Sequence, residues 1–192
     1  MPEQPPQTED DVRTLVREIV GGVLDAPAAP EAEPVTPAPL SSIIAVGADH
    51  GGLPLKEKIA FELRQAGHEV HDCGTDSTDA VDYPDFAHEV ARLVADGTCG
   101  SGIMVDGAGI GSAMVANKVP GIRASLCYDL STARNSREHN HANVLTLGAG
   151  LIGPGLAWQI VQEWLATPWG EGRHARRVDK ITAIDDHYRS AS

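Results

Sequence analysis

Positive charge is scarce in this chain: 15 lysines and arginines stand against 27 aspartates and glutamates in 192 residues, a formal net charge of -12. A surface of that sign repels phosphate polyanions, which excludes nucleic acid and an anionic membrane as partners. A small anionic substrate would need a local cationic pocket. Cysteine is scarce too. Cys73, Cys99 and Cys127 are odd in number and have neither metal nor redox spacing, which fits reduced thiols and no disulfide. No apolar run is long enough to span a bilayer, and the first residues lack a basic segment followed by an apolar core and a small-residue cleavage site. A cytoplasmic location is therefore expected.

What is present fits one α/β domain with an appendage: 42% hydrophobic and 22% charged residues in a chain of this length. Residues 1–24 form the appendage. Thr8 or Asp10 can cap a helix that places Val12, Leu15, Val16, Ile19, Val20 and Val23 on one stripe. Residues 25–41, rich in Ala, Pro and Glu, read as an extended linker.

From residue 42 to 192 short β-branched runs alternate with helical patterns. Strands are expected at Ile43 to Val46, Glu69 to Asp72, Gly102 to Val105, Ile122 to Cys127 and Val144 to Leu147. Helices are expected at Leu53 to Ala66, Phe86 to Ala95, Ser112 to Lys118, Leu130 to Asn140, Ala157 to Leu165, and Arg173 to about Tyr188. Strand–helix repetition with apolar strands predicts a three-layer Rossmann-like α/β fold on a five-stranded parallel sheet, with ligands at the carboxyl ends of the strands.

Two strand ends carry polar residues among glycines. The first is Gly47-Ala48-Asp49-His50-Gly51-Gly52, where a carboxylate beside an imidazole can handle protons; the alternative is a capping Asp and a surface His. The second is Asp106-Gly107-Ala108-Gly109-Ile110-Gly111, whose backbone N–H groups can point at an anion or oxyanion; the alternative is a tight turn. Its glycine spacing is not a dinucleotide fingerprint, and a nicotinamide dehydrogenase is a distant alternative. His139 ends a helix, where the negative end of the dipole favours its protonated form and suits an acid. Arg173 and Arg177 lie one turn apart in the only dense basic stretch and can clamp one phosphate. A solvated basic face is the alternative there. His139 and His141 alone make a poor metal site, so no metal is expected.

Several stretches, in order, resemble the ribose-5-phosphate isomerase B family, which includes the galactose-6-phosphate isomerase subunits. They are Ala48 to Lys56, Val81-Asp82-Tyr83-Pro84, Gly107 to Gly111, Ala116 to Ala124, Ser136-Arg137-Glu138-His139-Asn140 and Gly172-Arg173-His174, and together they span about residues 42 to 187. The resemblance implies aldose–ketose isomerisation of a phosphosugar through a cis-enediolate, no cofactor, and a homodimer or homotetramer with active sites between subunits. It further implies that Asp49 and His50 contact the sugar and phosphate ends, His139 assists ring opening, Asn140 holds substrate oxygens, and Arg173 and Arg177 bind phosphate. Gly107, Ala108, Gly109 and Gly111 would form the anion hole.

Three departures from the family pattern stand out. Asp106 occupies the place of a cysteine base, and Ala108 the place of a threonine; Ser112 stands where another branch has a glutamate base; Gly150 stands where a phosphate-binding arginine is usual. Asp106 is the candidate base, and burial would have to raise its basicity. Ribose 5-phosphate is the default substrate. A tetrose phosphate, or a catalytically weak sugar-phosphate-binding cargo protein, is the alternative. The amphipathic segment on its linker resembles the encapsulation peptides of bacterial microcompartments, which implies a shell protein as partner of residues 8–24 and the compartment interior as location. Packing on its own domain and attachment to a membrane surface are the competing readings, the second disfavoured by Glu9, Asp10, Asp11 and Glu18 against Arg13 and Arg17.

Overall fold

The computed structural model describes residues 42–190; the helical tag expected at 1–24 and the linker expected at 25–41 lie outside the described residues. Five strands, β1 (Ile43–Ala48), β2 (Glu69–Asp72), β3 (Ser101–Asp106), β4 (Ala124–Leu126) and β5 (Val144–Gly148), alternate with helices α1 (Leu53–Gln65), α2 (Tyr83–Ala95), α3 (Ile110–Ala116) and α4 (Leu130–Asn140). Helices α5 (Pro154–Ala166) and α6 (Arg173–Ser190) complete the domain. All neighbouring strands pair in parallel, in the order β2-β1-β3-β5-β4.

The two-residue period of the strands divides the core. Ile44, Val46, Ile103, Val105, Leu145 and Leu147 pack on one face with apolar residues of α1 and α5, including the fully buried Trp164. Ala45, Met104 and Val144 point to the other face, against Ala87, Val90 and Val94 of α2. Strands covered on both faces are continuous apolar runs for this reason.

Element types match the sequence reading, and the differences lie at the ends. Proline at a first or second helical position moves the starts of α2 and α5 forward to Tyr83 and Pro154, because a missing N–H costs nothing there. Helix α3 begins at Ile110, not Ser112, because Gly109 takes a left-handed φ of 75° just before it. Strand β4 is shorter than expected: the N–H of Ile122 turns back to the Val119 carbonyl and that of Arg123 donates to Asn143 Oδ1. Among the described residues no helix is long and apolar enough to cross a membrane.

Candidate active site

In this strand order the chain leaves β1 toward β2 on one side and β3 lies on the other, so the crevice at their carboxyl ends is where a ligand site forms. Both glycine-rich loops end there. The N–H of Asp49 donates to the Val105 carbonyl at 3.2 Å, which ties the β1 loop to β3. Gly52 lies so close that a Cβ would come within 2.2 Å of that same carbonyl oxygen. Half-buried Asp49 accepts the Gly52 N–H on Oδ1 at 2.8 Å, which turns the chain into α1. Exposed His50 accepts the Val81 N–H on Nδ1 at 3.2 Å, so a neutral ring carries its proton on Nε2.

Asp106 is 5% exposed, and its carboxylate is turned into its own loop. Oδ1 accepts the N–H of Ala108 at 2.7 Å and that of Gly109; Oδ2 accepts the N–H of Ser112 at 3.2 Å and the Ser112 hydroxyl. Four donors on two oxygens make this side chain the organiser of the turn between β3 and α3. The Tyr128 hydroxyl donates to the Ala108 carbonyl at 2.7 Å and Thr146 Oγ1 to the Gly109 carbonyl at 2.8 Å, so the loop is held from outside as well. Tyr83, at the start of α2, covers the loop: a Cβ at Gly111 would meet its hydroxyl at 2.6 Å.

The remaining candidates gather elsewhere. His139 and exposed Asn140 end α4, and Arg173, His174 and Arg177 open α6. The Gly170 N–H donates to the Glu138 carbonyl at 2.9 Å, and His141 Nε2 donates to the Gly170 carbonyl at 2.7 Å, which fastens the start of α6 beside the end of α4. The rings of His139 and His174 stack at 4.2 Å with 10° between their planes. Ligand atoms of Glu138, His139 and His174 lie within 4.8 Å of one another. Near-parallel rings, however, hold their in-plane lone pairs side by side and do not aim them at one ion.

These two groups sit at opposite ends of the sheet. Asp106 pairs with Gly148 and Gly102 with Val144, so β3 and β5 end together at the Asp106 edge. Helix α4 stops at Asn140, just before Val144 begins β5, and so at the other edge. Five residues of strand separate the edges by about 15 Å. A cavity of about 700 Å³ opens at that second edge; Asn140, Arg123 and Lys118 line it, and none of Asp49, His50 and Asp106 does.

Residue-level reading of the sequence passed over Ser112, Tyr83, Tyr128 and His174. Ser112 stands in the sequence as a helix start and as the place of a missing glutamate, although a hydroxyl six residues after a strand-end Asp is a capping partner. Tyr83 and His174 fell within motif stretches, but no local spacing reveals a contact made through folding.

Comparison with known proteins bears on the family and the fold. The profile of the Ribose/Galactose Isomerase family matches residues 44–181. Ribose-5-phosphate isomerase B of Escherichia coli is 45% identical over 142 residues, 74% of this chain and 95% of that protein. D-erythrulose-4-phosphate isomerase of Pectobacterium atrosepticum is 43% identical over 139 residues, 72% of this chain and 91% of that protein. A solved structure of Clostridium thermocellum ribose-5-phosphate isomerase B superimposes with a TM-score of 0.75 at 49% identity, covering 76% of this chain and 99% of that one. Sequence, fold and extent of match agree that this chain belongs to the ribose/galactose isomerase family and is an isomerase.

Proposed function

We propose that the chain interconverts an aldose phosphate and a ketose phosphate without a cofactor, with ribose 5-phosphate and ribulose 5-phosphate as the default pair. The observation that carries this reading is the meeting of the β1 and β3 loops, where the Asp49 N–H reaches the Val105 carbonyl next to Asp106. Such a crevice offers carboxylates beside unpaired loop donors. Asp106 takes the N–H groups of Ala108, Gly109 and Ser112; those of Gly107, Ile110 and Gly111 remain to hold the oxyanion of an enediolate. Asp106 moves the proton between adjacent carbons once the substrate draws its carboxylate out of the turn, with Asp49 and His50 fixing the sugar.

Ring opening and phosphate binding fall to His139, Asn140, Arg173 and Arg177. One chain holds them at the far edge of the sheet, so a complete site needs a second copy whose far edge meets this crevice. A homodimer is the smallest assembly that does this. Residues 8–24 serve as a tag for a microcompartment shell, tested by deleting 1–40 and following activity and co-localisation.

Two observations favour other outcomes. One relative is a D-erythrulose-4-phosphate isomerase, and Gly150 stands where the family's phosphate-binding arginine is usual, which favours a tetrose phosphate. The four hydrogen bonds on Asp106 favour a weakly catalytic sugar-phosphate binder. Proton NMR in deuterated water decides among them. Deuterium at C1 of ribulose 5-phosphate and at C2 of the ribose 5-phosphate re-formed from it, both lost in Asp106→Asn, support the proposal; turnover of tetrose phosphates alone moves the substrate; binding with no exchange leaves a binder.

A further inference from the structure

The stacked imidazoles at the edge opposite Asp106 hold more order than phosphate binding requires. His139 is half-buried in the last turn of α4, and His174, 9% exposed, is the second residue of α6. Gly170 lets them meet, because a Cβ there would lie 2.4 Å from the Glu138 carbonyl oxygen and 3.2 Å from His174 Cδ2.

Hydrogen bonds set the tautomer of each ring. The Asn135 amide is 2.9 Å from His139 Nδ1; with its Nδ2 as donor, Nδ1 accepts and the ring proton sits on Nε2, which lies 3.8 Å from Glu138 Oε1. Arg173 Nε donates to His174 Nε2 at 3.3 Å, so the neutral His174 ring carries its proton on Nδ1, a buried atom without a hydrogen-bond partner.

A second proton on His174 would have to displace the Arg173 donor and sit against a guanidinium. Burial pushes the His174 imidazole below its ordinary value, the charges of His139 and Arg173 push it the same way, and Arg177 adds to them; Glu138 alone opposes. His139 and Glu138 come from α4 and Arg173 and Arg177 from α6, while Glu171 of the connecting segment meets His174 through its carbonyl, which accepts the His174 N–H at 3.3 Å. Two stacked imidazoliums would repel, whereas a neutral ring face under an imidazolium attracts it.

We propose that His174 is a positioning residue for His139: an imidazole platform, held through Nε2 by the Arg173 donor, that fixes the stacked His139 ring with Nε2–H toward the substrate. This rests on His139 being the group that assists ring opening. It assigns to position 174 a role separate from the phosphate clamp of its neighbours Arg173 and Arg177.

The first test needs no activity. In long-range ¹H–¹⁵N spectra of the full chain with labelled histidine, neutral His139 should show the Nε2–H pattern, and His174 should keep the neutral Nδ1–H pattern as the pH falls through the ordinary histidine range. An imidazolium pattern on His174 within that range, or an Nδ1–H tautomer on neutral His139, overturns the proposal. The second test reads kinetics. His174→Phe keeps a ring under His139 and should retain most turnover of ribose 5-phosphate, whereas His174→Ala should lower kcat about tenfold by loosening the ring. With erythrose 4-phosphate, which cannot close a furanose ring, both variants should match the unmodified chain. Equal loss on both substrates would mean damage to folding or phosphate binding and would sink the platform. If no sugar turns over, the isomerase reading fails and the spectra still decide the proposal.

Discussion

Ser112 holds the carboxylate of Asp106 twice, through its N–H at 3.2 Å and through its hydroxyl, both on Oδ2. The two positions at which branches of the family place their alternative bases are thus joined to each other in this chain. Ser112 is fully buried, so Ser112→Ala removes the hydroxyl without changing the packing. A charge-assisted hydrogen bond is lost, and stability should fall by about 1–2 kcal/mol, measured as a shift in the urea midpoint with unchanged slope.

Replacing Asp106 by the residue many relatives carry there tests the base directly. Asp106→Cys should keep isomerase activity and make it sensitive to thiol alkylation, while the unmodified chain resists. Its own cysteines are poor nucleophiles: burial, with Glu89 nearby, pushes the Cys73 thiol up to about 12, and burial raises Cys99 and Cys127 as well. Equal sensitivity of both proteins would show that an alkylated native cysteine matters to the fold or the site.

Mixing subunits tests the split site. Asp106→Asn and His139→Asn should each be inactive alone, because each removes one half of every site. Refolded together in equal amounts, dimers that draw from both pools contain one intact site, so activity should return to about a quarter of the unmodified value. No recovery would place both halves of a site in one chain.

Much of this architecture was legible before folding. Among the described residues, apolar runs mark β1, β3 and β5, the alternation with helices marks β2 and β4, and the 3.6-residue period marks the six helices, because each helix buries one defined face. Ends were harder to read. The left-handed Gly109 and the side-chain contacts of Arg123 are set by neighbours distant in sequence. At the site, Asp49 and Asp106 were legible as strand-end carboxylates. That Asp106 spends its lone pairs on its own loop was not, because the donors come from the path of the backbone. Nor was the separation of His139 from Asp106, which follows from strand order and has no local signal.

Lys56 shows how a motif residue can be structural. It is 2% exposed, and its ammonium reaches Asp72 Oδ1 at 2.7 Å and the Thr75 carbonyl at 2.8 Å, clamping the chain after β2 to α1. Lys56→Met keeps the stem and removes three donors. Stability should drop by about 2 kcal/mol, seen as a lower melting temperature. Burial pushes the Asp72 carboxyl up, but hydrogen bonds from Lys56 and the Gly74 N–H outweigh it, and the net direction is down. A carboxyl lowered by folding adds stability above its unfolded-state value, and that stability is lost as pH falls through the folded one. The melting-temperature gap between the unmodified chain and Asp72→Asn should therefore be full at neutral pH and close below the ordinary carboxylate range.

Arg137 illustrates a different use of charge. Its guanidinium lies 4.5 Å from the Trp164 ring centroid and 5.5 Å from that of Trp169, while Nη1 donates to the Ala142 carbonyl at 2.6 Å and Nε to the Thr167 carbonyl at 3.3 Å. Burial, and secondarily the charge of Arg123, lowers it to about 10. A base lowered by folding is still fully charged at neutral pH in both states, so this cost is constant there and fades only as pH rises through that value toward the ordinary arginine range. What offsets it is the planar fork, which closes the ends of α4 and α5 while stacking on indole. A lysine cannot do both, since its ammonium is a point charge without a face. Arg137→Lys should therefore cost about 2 kcal/mol by urea denaturation. Arg134→Lys is the control: exposed Arg134 pairs with Glu163 at 2.7 Å, and solvent screens that pair, so its midpoint should not move. A midpoint for Arg137→Lys equal to that of the control would mean that charge alone, and not the stacked fork, holds the ends of α4 and α5 together.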